Sequence, residues 1–166
     1  MSMHTAGRTW IFDLDNTLHN ASRHAFPVIN RSMTVYIAER LGLSHDDASA
    51  LRQRYWHRYG ATLLGLMRHH PEIDPHHFLH AAHPLEEITR EIHPMPGLHR
   101  TLRRLHGKKV LFTNSPSAYA FALLEALQIT DCFDAVFSVE DVHLQPKPLL
   151  AAYRTLLHRL RLNPHP

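Results

Sequence analysis

The sequence predicts an α/β fold: a parallel β-sheet with helices on both faces, interrupted early by an inserted helical cap. Short apolar runs rich in β-favouring residues recur at 9–12, 109–112 and 135–137, each followed by a segment of helical periodicity. Strands that alternate with helices in this way pair in parallel, with crossover helices covering the sheet. Between the first run and the helix that precedes the second lies a stretch, 20–93, of roughly 75 residues, far more than an ordinary βα connection needs.

Taken in order, Thr9-Trp10-Ile11-Phe12 reads as a buried strand that delivers two carboxylates, Asp13 and Asp15, to its C-terminal tip. Phe26, Ile29, Met33, Tyr36, Ile37 and Leu41 then form one apolar helical stripe, with Gly42 as its stop. Ser44 caps a second helix, Asp46 and Asp47 favour its dipole, and Ala48, Leu51, Tyr55 and Tyr59 face inward as core rather than as a stacking platform. Gly60 and Gly65 bracket a turn and a tight helix contact, and Asp74-Pro75 opens a short helix holding Phe78 and Leu79. Residues 20–93 are thus expected to be the helical cap, leaving 1–19 and 94–166 as the core. Leu98, Leu102 and Leu105 mark an amphipathic helix closed by Gly107. The second strand, Lys109-Val110-Leu111-Phe112, ends at Thr113-Asn114-Ser115. Ser115-Pro116 reads as N-cap and N1 of a helix carrying Tyr119, Leu123, Leu124 and Leu127. After the third strand, Ala135-Val136-Phe137, Pro148 opens a helix through Leu149, Tyr153, Leu156 and Leu160.

Composition limits the class. The chain has 166 residues, of which 44% are hydrophobic and 20% charged, as in an ordinary soluble globular protein. No apolar run approaches the ~20 residues that span a bilayer, and the N-terminus lacks the features of a secretory signal. The single Cys132 forms no intrachain disulfide, and a cytoplasmic location is expected. A net charge of +3 suits an anionic ligand, but the Lys and Arg residues are scattered, so a nucleic-acid polymer is not expected. Oligomeric state is not legible.

Ligands of open parallel sheets bind beyond the carboxyl ends of the strands, where the polar residues lie. Asp13 and Asp15, at i and i+2, share a side if extended geometry persists. One can attack phosphorus, forming an acyl-phosphate that water then hydrolyses, while the other handles protons. Two carboxylates repel a phosphate dianion, so Mg²⁺ and the ammonium of Lys147, in Gln145-Pro146-Lys147-Pro148, supply the compensating charge. Thr113 offers a hydroxyl, and the N–H groups that open the following helix form an anion site. Singly, these features are a capped turn, a helix cap and a solvated lysine. In this order, all at strand ends, they define a phosphate site.

The run Trp10-Ile11-Phe12-Asp13-Leu14-Asp15-Asn16-Thr17-Leu18 resembles the first motif of the haloacid-dehalogenase-like hydrolase superfamily. Leu111-Phe112-Thr113-Asn114-Ser115 resembles the second motif and Pro146-Lys147-Pro148 the third. The resemblance implies a Rossmann-like core, Mg²⁺ held by Asp13 and Asp15, and an aspartyl-phosphate intermediate. Asp13 is then the nucleophile, Asp15 the general acid/base, Thr113 with Asn114 the phosphate ligands, and Lys147 the stabilising cation. Asp15 argues against the dehalogenase branch, whose halide leaving group needs no proton. Asn16-Thr17-Leu18-His19 and Tyr59-Gly60-Ala61-Thr62-Leu63-Leu64-Gly65-Leu66 are similar to segments of pyrimidine 5′-nucleotidase-like members, which implies small phosphate monoesters such as UMP or CMP as substrates, with pyridoxal phosphate as a further candidate.

The superfamily's fourth motif, an acidic group at the end of the next strand that helps hold Mg²⁺, has no counterpart, since no Asp or Glu follows Asp141. The expectation is a core truncated before that strand, with weak Mg²⁺ binding and poor turnover; the alternative is a catalytically impaired phosphate-binding protein. Glu140 and Asp141 follow the third strand and are expected near the site, at a spacing unlike the missing motif. Histidines crowd residues 69–83, where His76 and His80 have the i, i+4 spacing of a Zn²⁺ or Ni²⁺ chelate. Without a partner cysteine, surface histidines are the expected reading, and a His-dependent metal module is the third hypothesis.

Overall fold

In the computed structural model, which describes residues 8–162, the chain runs β1 (Thr9–Phe12), α1 (Ala25–Leu41), α2 (His45–Tyr59), α3 (Thr62–His69), α4 (Pro75–Ala82), α5 (Leu85–Thr89), α6 (Leu98–Arg104), β2 (Lys108–Phe112), α7 (Ser117–Ala126), β3 (Ala135–Phe137) and α8 (Leu150–Leu160). It divides into two units, Met1–Asn20 with Ile92–Pro166, and Ala21–Glu91. No helix among the described residues is long and apolar enough to cross a membrane. Residues 163–166, at the end where the expected core stops short of the fourth-motif strand, lie outside the described residues.

The first unit carries the expected parallel sheet, in the order β1-β2-β3. Its central strand, β2, buries Val110, Leu111 and Phe112 and so is covered on both faces. It begins one residue before the apolar run because Lys108 pairs in register with Thr9. Val110, Phe112, Phe137, Ala152 and Leu156 form one apolar cluster, which seats α8 on the sheet. That helix starts at Leu150 rather than at Pro148, and its buried face is Ala152 and Leu156, while Leu149, Leu150 and Tyr153 stay exposed. β1 and β3 are the edge strands among the described residues, and Ile11 of β1 is 43% exposed.

Two turns differ from expectation. α6 ends at Arg104, so Gly107 does not close it. Gly107 instead sits at φ +109° where a Cβ would collide with the carbonyl oxygen of Arg8, which lets the turn lie against the start of β1. α7 begins at Ser117, with Pro116 at the N-cap position. The carboxylate of Glu140 accepts the Ser117 N–H at 2.8 Å, so a distant residue supplies the cap that Ser115 was expected to provide.

The second unit is entirely helical among its described residues. α1 ends at Gly42 in the left-handed region, and the Ser44 hydroxyl caps α2 by accepting the Asp47 N–H at 3.1 Å. Gly65 places α3 directly against α2, where a Cβ would collide with Tyr55. Three histidines of this unit partner phenols. Tyr55 pairs with His70 at 2.9 Å, Tyr59 with His69 at 2.6 Å and Tyr36 with His77 at 2.9 Å, while His69 stacks on Tyr55. Among the described residues no group of three or more His, Cys, Asp or Glu side chains is placed to hold a metal.

Candidate active site

The tips of β1 and β2 and the loop before α8 bring Asp13, Asp15, Thr113, Asn114 and Lys147 together within the first unit. Their surroundings differ, and the difference follows from the local chain path. β1 ends at Phe12, and the chain turns at once, with Leu14 O accepting the N–H groups of Thr17 and Leu18. The turn needs a left-handed residue, and Asn16 takes it at φ +58°. Asp13 is left at the mouth of the turn with its side chain 48% exposed, while Leu14 is fully buried beneath it.

Lys147 reaches this carboxylate from the far loop. Its Nζ donates to Asp13 Oδ1 at 2.7 Å and to the carbonyl of Phe112, and lies 5.1 Å from the centre of the Phe112 ring. The last residue of β2 thus supplies both an acceptor and an aromatic face for the ammonium of a lysine whose side chain is 16% exposed.

Asn114, expected among the phosphate ligands, also has a partner within the chain. Its Nδ2 donates to the Lys147 carbonyl at 3.0 Å, and its Oδ1 accepts the Lys147 N–H at 2.7 Å. Both ends of the amide are committed to holding the lysine's backbone. Thr113 is fully buried, and its hydroxyl oxygen accepts the Ser115 N–H at 3.1 Å. Because that contact uses only the oxygen as acceptor, the hydroxyl proton is still there to donate. The N-terminus of α7, anticipated as an anion site, receives the Glu140 carboxylate at Ser117 N instead. Asp141 turns away, accepting from the N–H and hydroxyl of Ser138.

Asp15 is the most heavily tied of the group. Its Oδ1 accepts the Tyr119 hydroxyl at 2.6 Å and contacts His19 Nε2 at 3.0 Å, and its Oδ2 accepts the Ser115 hydroxyl at 2.9 Å. Burial pushes the Asp15 carboxyl upward, but the His19 hydrogen bond, the Tyr119 hydrogen bond, the charge of His19 and the Ser115 hydrogen bond together outweigh it, and the group sits below its ordinary value. Burial, and then the neighbouring Asp15 charge, pushes the Tyr119 phenol far above its usual range. His19 is held from both sides: its backbone bridges Asp15 and Pro94, in a short ribbon where Asn20 N–H meets His93 O and Met95 N–H meets Leu18 O.

Sequence reasoning did not find these partners of Asp15. Ser115 reads as a helix cap, Tyr119 as a core residue of an apolar helix and His19 as one letter of a motif. A signal existed for Tyr119, since a buried phenol nearly always finds a hydrogen-bond partner. Nothing local identifies that partner, 104 residues away.

Comparison with known proteins identifies the family. A family model for haloacid dehalogenase-like hydrolases matches residues 8–166. Phosphate metabolism protein 8 of Saccharomyces cerevisiae is 29% identical over 142 residues, covering 79% of this chain and 43% of that protein. The chain therefore spans less than half the length of this curated relative. Among solved structures, CbbY from Rhodobacter sphaeroides in complex with phosphate aligns with a TM-score of 0.61 at 18% identity, over 95% of this chain and 74% of that one. A HAD phosphatase from Thermococcus onnurineus aligns at 0.59 and 18% identity, over 95% and 73% of the two chains. A HAD-hydrolase from Bacillus subtilis bound to magnesium aligns at 0.56 and 16% identity, over 92% and 74%. These structural likenesses establish the fold; the family match, running from the first described residue through every site residue above, establishes that the chain belongs to the haloacid dehalogenase-like hydrolases.

Proposed function

We propose that this chain is a Mg²⁺-dependent phosphatase acting on small phosphate monoesters, nucleoside 5′-monophosphates such as UMP and CMP foremost, with residues 21–91 as its cap. The observation that carries the reading is the Asp13–Lys147 contact at 2.7 Å. A half-exposed carboxylate at a strand tip, fixed by an ammonium that itself rests on a backbone carbonyl, suits attack on a dianionic phosphate. A dehalogenase needs no proton donor for its halide, whereas Asp15 gives this site a second carboxyl group. The relatives' descriptions as a phosphate metabolism protein, a HAD phosphatase and a phosphate complex support the same class.

In this reading Asp13 Oδ2, the oxygen not held by Lys147, attacks phosphorus and the bond to the leaving oxygen breaks. The bound phosphate dianion favours the neutral form of Asp15 beside it, and Asp15 gives the leaving oxygen its proton. Asp15, now a carboxylate, takes a proton from water as the water attacks the aspartyl-phosphate, releasing phosphate and restoring Asp13. Lys147 offsets the charge on the phosphoryl oxygens throughout. Thr113 is the hydroxyl donor at the phosphate. Asn114 acts by fixing the lysine loop.

The donor set fits Mg²⁺, which takes hard oxygen ligands and is commonly held by one or two carboxylates, with phosphate and water completing its shell. Asp13 would hold it through its half-exposed carboxylate, whereas the Asp15 carboxylate is engaged by Tyr119, His19 and Ser115; the ion would neutralise phosphoryl charge. A magnesium-bound relative of the same fold is consistent with this.

The test is phosphate release from UMP, CMP and pyridoxal phosphate with and without Mg²⁺. Wild type is expected to turn over at least one of them only with the metal, and Asp13→Asn to lose the activity while keeping its unfolding midpoint. Undiminished turnover by Asp13→Asn would sink the reading. Binding of phosphate esters by wild type without any turnover would favour the impaired phosphate-binding alternative.

A further inference from the structure

Counting lone pairs on Asp15 goes beyond its assignment as acid/base. An ionised carboxylate offers about two acceptor positions on each oxygen. At Oδ1 both are taken, by Tyr119 Oη at 2.6 Å and His19 Nε2 at 3.0 Å. At Oδ2 one is taken, by Ser115 Oγ at 2.9 Å. The donors come from three places in the chain: the ribbon after β1, the β2–α7 loop and the first turn of α7. The Oδ1 pair is also the deeper one, because Tyr119 is fully buried and the His19 side chain is 3% exposed.

We propose that Tyr119 and His19 are positioning residues that occupy Oδ1 of Asp15 and so make Oδ2, beside Ser115, the oxygen that exchanges protons with the leaving group. This rests on the reading of Asp15 as the acid/base of a phosphatase. Neither residue touches substrate. Each fixes the plane of the carboxylate: Tyr119 through a rigid phenol seated in the core, His19 through a ring whose backbone is held in the ribbon with Pro94. With Oδ1 saturated, the carboxyl cannot turn over to present its other oxygen without breaking two buried hydrogen bonds. General acid catalysis requires a proton aimed at the leaving oxygen, so the fixed plane matters most when that oxygen is a poor leaving group.

The experiment compares kcat/KM of wild type, Tyr119→Phe and His19→Asn on UMP, whose alkoxide must be protonated as it leaves, and on p-nitrophenyl phosphate, whose phenolate leaves without help. Because kcat/KM ends at the first irreversible step, hydrolysis of the aspartyl-phosphate does not enter the comparison. Tyr119→Phe removes only an oxygen and is expected to lose roughly tenfold or more on UMP, the ordinary weight of a hydrogen bond to a charged group, and under about twofold on p-nitrophenyl phosphate. His19→Asn is expected to show the same asymmetry. An equal loss on both esters would mark general damage to the fold and overturn the proposal, as would no loss on either. Asp15→Asn separates the two levels: it should reproduce the asymmetry in larger measure. If Asp15→Asn acts like wild type on UMP, the acid/base reading itself fails. If Asp15→Asn is impaired and Tyr119→Phe is not, only the positioning role falls. A wild-type protein that releases phosphate from neither ester overturns both.

Discussion

Replacing Lys147 with Met removes an ammonium from two acceptors at once, Asp13 Oδ1 and the Phe112 carbonyl. Two magnitudes compete. As a stability element the pair is modest, because the Asp13 side chain is 48% exposed and solvent screens the interaction. Exposed pairs of this kind contribute about 0.2–1 kcal/mol. In its proposed role, as a preorganised charge facing a phosphoryl group, the same ammonium belongs with donors whose removal costs about 2.7–4 kcal/mol of transition-state stabilisation, or roughly 10²–10³ in kcat. Activity should therefore collapse while the fold barely changes. Lys147→Arg is expected to rescue poorly, since a planar guanidinium does not reproduce a compact ammonium lodged between a carboxylate, a carbonyl and the Phe112 ring 5.1 Å away. Steady-state phosphate release and urea unfolding, run on the same preparations, give both numbers. A Lys147→Met protein that keeps kcat within about threefold of wild type would refute the electrostatic argument.

Other consequences are equally direct. Asn114→Ala deletes both hydrogen bonds to the Lys147 backbone and should cost about 1–2 kcal/mol in urea unfolding, with a fall in kcat larger than that loss of stability explains; unchanged kcat would mean the lysine loop holds its place unaided. Gly65→Ala sets a helix-propensity gain of about 1 kcal/mol against overpacking of about 1–3 kcal/mol or more. Tyr55 is pinned by His70 and stacked on His69, so it cannot yield, and the net effect is a lower unfolding midpoint. A midpoint equal to or above wild type would show that α2 and α3 separate freely. Because the Asp15 carboxyl is held below its ordinary value of 3.8 in the folded state, its contribution to stability is complete above that value and is lost as pH falls through the lower folded value. Thermal unfolding of wild type below pH 4 should therefore fall more steeply than that of Asp15→Asn; parallel curves would contradict the assignment.

The legible part of this protein is what repeats locally. Strand positions follow from apolar runs, and Ser44, Gly42 and Asp74 set helix ends through contacts a few residues away. Asp13 and Lys147 are legible because strand ends attract ligands, and a carboxylate with a lysine is a chemically meaningful pair even when 134 residues part them. The remote contacts share a cause. Ser115 was assigned to the cap of α7, Asn114 to phosphate and Gly107 to the end of α6, each on the strength of its immediate neighbours. In the fold Ser115 serves Asp15, Asn114 serves Lys147 and Gly107 serves Arg8, partners between 33 and 100 residues distant in the first two cases. Short polar side chains satisfy local and remote groups equally well, so sequence alone does not choose between them.

These remote contacts also show how the site is built. Thr113 holds Ser115, Ser115 and Tyr119 hold Asp15, Asn114 holds Lys147, and Glu140 holds the start of the helix from which Tyr119 projects. Most polar groups around the strand tips are thus engaged with one another, and the half-exposed carboxylate of Asp13 is the open member of the set. For the proposed reaction, which concentrates charge on phosphoryl oxygens, such an arrangement is favourable: donors already fixed in place need no reorganisation when charge develops, while Asp13, the proposed nucleophile, keeps its access to substrate. Weakening any support should therefore reduce rate before it reduces affinity, because the supports orient groups that act on the transition state and do not themselves touch the ligand.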